Sequence, residues 1–95
     1  MRPEERPMHA VIVNVTIEDF EKARANLREE TVPQVSQAPG FVTGSWLRLA
    51  EDRGMAVLVF ESEQAASGAR ERVQAQPAVG VTFDSVEVHE VVEHA

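Results

Sequence analysis

The chain has 95 residues, 43% hydrophobic and 26% charged, the balance of one ordinary folded domain rather than of a disordered polymer. Sixteen acidic residues against nine basic ones give a net charge of −7, which leaves no basic field for a nucleic-acid backbone or an anionic membrane. There is no cysteine, so disulfides, thiolate metal sites and a cysteine nucleophile are excluded, and a reducing cytoplasm is the simplest location.

Residues 1–7 carry two prolines and charges that cancel, with no apolar period, and read as a flexible lead before a single domain over 8–95; Met8 is an alternative start. No apolar run approaches the length of a signal core or a membrane span. From His9 to Ile17 the residues alternate in a strand pattern, with Val11, Val13, Val15 and Ile17 on one side and Ala10, Ile12, Asn14 and Thr16 on the other. A capping-box-like pair, Thr16 and Asp19, then opens a helix expected from about Ile17 to Val32 or a little beyond. Phe20, Ala23 and Leu27 form its stripe, and Pro33 disfavours an unbroken continuation.

Pro39-Gly40 punctuates the chain, and Phe41 to Ala50 with Met55 to Glu61 reads as a β-hairpin, Gly54 being available for a left-handed turn position. Ser62 caps a second helix from about Glu63 to Gln76, whose stripe is the small set Ala65, Ala66, Ala69 and Val73. Val79 to Val92 supplies the last strand, with Val86, Val88 and Val92 on one side and Ser85, Glu87 and His89 on the other.

The order βαββαβ predicts a ferredoxin-like α+β fold, a four-stranded antiparallel sheet with two helices on one face. The first and third strands are apolar on both sides. One set is read as Val11, Val13, Val15, Met55, Val57 and Val59, the other as Ile12, Ala56, Leu58 and Phe60, and two helices cover only one of them. Six exposed side chains forgo roughly 1.5–3 kcal/mol each, comparable with the whole stability of a small domain. The first set is therefore expected to be the face of a homodimer, with a monomer carrying a hydrophobic binding face as the alternative.

With these elements placed, the chain resembles the dimeric α+β barrel superfamily, and within it the antibiotic-biosynthesis-monooxygenase-like group. The likeness covers roughly Met8 to Val92. It rests on element order, on Pro39-Gly40-Phe41 opening the second strand, and on Phe60-Glu61-Ser62-Glu63-Gln64-Ala65 where the third strand meets the second helix. The resemblance implies a dimer whose members include cofactor-independent oxygenases of phenols, haem-degrading enzymes and proteins of no assigned activity. Haem-degrading relatives use an Asn on the first strand, a Trp ending the third and a His on the second helix. Here Asn14 stands at the first position, Phe60 replaces the Trp, and Glu63 to Gln76 holds no histidine, which disfavours haem breakdown.

The residue readings divide between structure and site. Asn14 is placed on the helix-facing side, either as a satisfied structural amide or as a group orienting a ligand. Phe60 is core or pocket wall, and Trp46 packs or lines a cavity. The alanines of the second helix either let it approach the sheet or leave room beneath it. His89 is the one titratable candidate near neutrality within a strand, hence a candidate acid or base. His9 and His89 give at most a two-imidazole site against a solvated terminus, so no metal is assigned.

Arg53 to Phe60 traces the spacing of an RNA-binding strand motif, but Met55 and Val57 stand where stacking rings belong, so RNA binding is disfavoured. The reading is a cytoplasmic homodimer without a cofactor, carrying a pocket for a small aromatic or hydrophobic ligand beside Asn14, Phe60 and Trp46. It is either a monooxygenase of phenol or quinone-type compounds or a non-catalytic binding or dimerisation module.

Overall fold

A computed structural model describes residues 7–95. The lead expected at 1–7 lies outside them, save for Pro7. The elements run β1 (His9–Ile17), α1 (Phe20–Asn26), a π-helical turn (Leu27–Thr31), α2 (Val32–Ser36), β2 (Phe41–Ala50), β3 (Arg53–Phe60), α3 (Glu63–Ala75) and β4 (Val81–Glu90). The strands form one antiparallel sheet in the order β2-β3-β1-β4. This is the expected ferredoxin-like α+β arrangement, with helices over a single sheet face.

Register decides what each face carries. Val11 lies opposite Leu58, and Val13 opposite Ala56. Residues directly opposed across an antiparallel ladder share a face. Val11, Val13, Ala56, Leu58 and Phe60 therefore join Ala66 and Ala69 of α3 in one core, with Val11 and Phe60 fully buried. The expected dimer face is thus corrected by half. Met55, Val57 and Val59 do lie on the uncovered side, but Val11, Val13 and Val15 are beneath the helices and Ile12, opposite Val57, takes their place outside. β3 is apolar on both of its faces, so only the pairing of Val11 with Leu58 and of Ile12 with Val57 decides which row of β1 joins which row of β3. Leu47, paired with Met55 and 47% exposed, extends the uncovered apolar strip onto β2.

β4 keeps its valines inward through a bulge. The register on β1 shifts between Asn14 and Val15, so that Asn14 faces Ser85 while Val15 faces Phe83. The additional residue, Asp84, accepts a hydrogen bond from Thr16 Oγ1 at 2.8 Å. Phe83, Val86 and Val88 consequently all pack on the core despite the break in strict alternation.

The first helix departs from expectation at both ends. It starts at Phe20 because Asp19, in extended backbone, is the cap and accepts from the Lys22 N–H at 3.0 Å; Thr16 remains in the strand. It also runs past Pro33. The Val32 N–H bonds to Leu27 O, five residues back, and this wider π turn precedes the proline, which lies in the first turn of α2. There the missing proline N–H is least needed.

Two glycines fix the ends of this helical arm. Gly80, at φ +73°, offers its carbonyl to the N–H groups of Glu18 and Asp19, and a Cβ there would lie 2.6 Å from the Asp19 oxygen. Gly40, at φ +76°, accepts from Glu61 N at 2.8 Å and leaves room for Ala65. The two motifs that carried the resemblance therefore meet in space, where Phe41 and Phe60 also stack edge to face at 5.8 Å. Gly54 is a different case, since it lies within β3 without a positive φ and admits Val15 in place of a side chain.

Gly80→Ala should cost about 2 kcal/mol or more and lower the melting temperature by about 10 °C. Gly68→Ala, where a Cβ meets nothing within 4 Å inside α3, should instead add about 0.5–1 kcal/mol. Thermal unfolding of the two variants checks this opposition in sign.

Candidate functional site

Of the arm, only Ala23 is fully buried; Leu27 of the π turn and Val35 of α2 are half-buried. A helix that covers a sheet normally buries a continuous stripe, so an arm held at its ends with so little inserted between leaves space beneath it. That space is a cavity of about 390 Å³, partly open to solvent. Its floor is Val13, Val15, Ala56, Leu58 and Phe60 of the sheet, with Trp46 on the β2 side and Phe83 on the β4 side. Phe20, Leu27 and Val35 of the arm roof it, and Ala69 and Val73 of α3 close the remaining wall. The volume lies within the range usual for small-molecule sites, about 300–1,000 Å³.

The small residues of α3 serve both readings made of them. Ala66 is fully buried in direct packing, whereas Ala69, one turn later, borders the cavity. Trp46 lies over Gly44, close to the Leu58 side chain, so the glycine gives the indole its seat. The polar groups of the lining come from the arm and its neighbours. Asn26 Nδ2 donates to Thr31 Oγ1 at 3.4 Å across the π turn, and Gln76 Nε2 of the α3 end donates to Gln34 Oε1 of α2 at 2.7 Å. That second bond bridges the two helical walls at the rim.

The expected site is therefore only partly assembled. Phe60 and Trp46 share the cavity, as floor and side. Asn14 does not reach it: its register partner is Met55, it faces the uncovered side, and its Nδ2 donates to Ser85 Oγ at 3.1 Å. The structural reading of this amide holds, and the pocket placement is corrected by the same one-residue shift that moved Ile12. His89 also lies on the outer side, opposite Ala10, where its Nε2 is 2.9 Å from Glu87 Oε1 and the ring is 61% exposed. It cannot act on anything bound beneath the arm. His9 pairs with Phe60 on the inner side and so is separated from His89 by the sheet. Among the described residues no cluster of three or more His, Asp or Glu could hold a metal ion.

The lining contains no Asp, Glu, His, Lys or Tyr, and its ionisable side chains are Arg24, Arg48 and Arg72. Sequence reading missed these and the arm's Asn26, Thr31 and Gln34, because they come from segments far apart in the chain. Phe20, Arg24 and Leu27 at helical spacing were the one local signal of a shared face.

No family model matches the sequence, and no curated protein does. Solved structures do. A variant of SnoaB, a cofactor-independent oxygenase from Streptomyces nogalater, superposes with a TM-score of 0.63 at 16% identity over 92% of this chain and 95% of that one. The chain has the ferredoxin-like fold of the dimeric α+β barrel structures. Further neighbours with this fold are a haem-degrading protein from Mycobacterium tuberculosis, with a TM-score of 0.54 at 25% identity over 93% and 96% of the two chains, and ActVA-Orf6. The latter, a monooxygenase from Streptomyces coelicolor solved with nanaomycin D, gives 0.55 at 12% identity over 100% and 96%. These antibiotic-biosynthesis-monooxygenase-like structures share the α+β barrel architecture with this chain across nearly its whole length.

Asn14→Ala should lower stability by about 1 kcal/mol through loss of the Ser85 bond and leave the affinity of any cavity ligand unchanged. Thermal unfolding with calorimetric titration of the same variant reads both effects.

Proposed function

We propose that this protein is a cytoplasmic homodimer that oxygenates a small electron-rich aromatic compound of the phenol or quinone type without a cofactor. The observation that carries the reading is the cavity beneath the arm, apolar and aromatic at its floor and of a size for two or three fused rings. A neighbour with this fold, SnoaB, is a cofactor-independent oxygenase, which supports the reaction class. The location rests on the cysteine-free sequence, and no helix among the described residues is long and apolar enough to cross a membrane.

In such a reaction a phenol with a free para position gives up two hydrogens and takes one oxygen atom from O2 to become a quinone, while the second oxygen leaves as water. All four electrons come from the substrate and O2 is fully reduced, so no external reductant is required. The chain's part is to bind the ring, hold it away from water and favour its anion, because the lining offers no carboxylate or imidazole to remove the proton. Haem as substrate is a poorer fit, since no histidine, cysteine or tyrosine lines the cavity to ligate iron. The same lack of an acid or base favours a second reading, a binding module that retains the cavity and lacks the chemistry.

The only tryptophan, Trp46, borders the cavity, so its fluorescence should be quenched saturably by menadione. With 1-naphthol, oxygen uptake and quinone formation in equal amounts support the oxygenase, and binding without uptake supports the module. If turnover occurs, its pH profile should follow the phenol: exchanging one naphthol for a more acidic one moves the inflection by the difference in their own pKa values.

The partner is a second copy, covering Ile12, Leu47, Met55, Val57 and Val59. Val57→Lys, a charge at the centre of that face, should convert the dimer to a monomer in sedimentation velocity at micromolar concentration. A wild-type chain that sediments as a monomer would refute the assembly.

A further inference from the structure

Charge is distributed unevenly around the cavity. Residues 7–95 hold seven basic and fourteen acidic side chains, yet three of the basic ones and none of the acidic ones border it. The three arginines come from separate elements, Arg24 from α1, Arg48 from β2 and Arg72 from α3, so no single helix pattern places them together. Among the described residues none of the three is in a salt bridge; the one pair is His89 with Glu87 on the opposite face.

Arg48 is held in position. Its guanidinium carbon lies 3.9 Å from the centroid of the Phe20 ring, and one Nη2 bond of 2.8 Å reaches Glu51 O. A guanidinium has five N–H donors, so most remain for a ligand, and a fork stacked on an aromatic face loses little freedom on binding. In a protein of net charge −7, a cavity bordered by three arginines and by no acid favours anions over cations.

We infer that the cavity selects aromatic compounds bearing a planar oxyanion, a ring-attached carboxylate or an ionised phenol, with the ring under the arm and the oxyanion at Arg24, Arg48 and Arg72. The inference rests on the cavity being the ligand site and names the charge of what enters it. It also fits the absence of a base, since a ligand recognised as its anion arrives without the proton. Arginine keeps its charge at every physiological pH, so the preference belongs to the ionisation of the ligand.

The test uses 2-naphthoate and its uncharged isostere 2-naphthamide, titrated calorimetrically into the full chain at low and at 0.5 M salt. Naphthoate should bind about tenfold tighter than naphthamide at low salt, the worth of one charge-assisted contact. The ratio should shrink in high salt, because exposed charges are screened. Arg48→Gln and Arg72→Gln, both at exposed positions, should each bring the ratio toward one. Equal affinities in the wild type, or a ratio untouched by both substitutions, overturn the inference while leaving the cavity as a ligand site. If neither compound binds, the inference and the ligand site fall together. Circular dichroism of the variants confirms that a lost preference is not lost folding.

Discussion

The position of β1 between β3 and β4 governs the rest of the molecule. Side chains in a strand alternate, so its register assigns Val11, Val13 and Val15 to the covered face and Ile12 and Asn14 to the other. A slip of one residue would carry Asn14 beneath the helices, where an amide without a partner costs about 1–3 kcal/mol. In the observed register Asn14 meets Ser85, and three valines meet apolar partners. The bulge at Asp84 belongs to the same solution, because without it Phe83 and Val86 could not both face inward. The sheet is thus specified by polar placement as much as by apolar area.

From that sheet two helical layers rise differently. α3 uses alanine to approach closely and supplies Ala66 and Ala69 to the core. The arm of α1, the π turn and α2 does the opposite, being anchored at Gly80 and Gly40 and fully burying only Ala23 between them. Apolar area that could have been packed is left facing a space. A fold of this size has little stability to spare, so leaving a void under one helix is a structural concession that makes sense when something else occupies it.

Much of this was legible in the residues. Period-two alternation found all four strands, Ser62 announced α3, and the meeting of Pro39-Gly40-Phe41 with Phe60 to Ala65 explains why those stretches go with this fold. What could not be read was which row of β1 joins which row of β3, since Met55, Val57 and Val59 are as apolar as Ala56, Leu58 and Phe60. The cross-strand partner decides, and no local pattern names it. Asn14 was misplaced for that reason and His89 was weighed by its residue type alone, while Phe60 and Trp46 fell where the cavity is. Arg24, Arg48 and Arg72 stayed hidden because each looks like an ordinary solvated charge until three elements are brought together.

The π turn has an evolutionary corollary. It accommodates one surplus residue inside a continuous helix, so the chain between the two glycine anchors can gain or lose a position while both anchors stay fixed. Such an insertion, absorbed in the wide turn, leaves the helix on either side in register and changes only the residues of the turn, re-lining part of the roof above an unchanged floor. Cousins on this scaffold can therefore diversify what they accommodate by indels in the ceiling, without renegotiating the sheet.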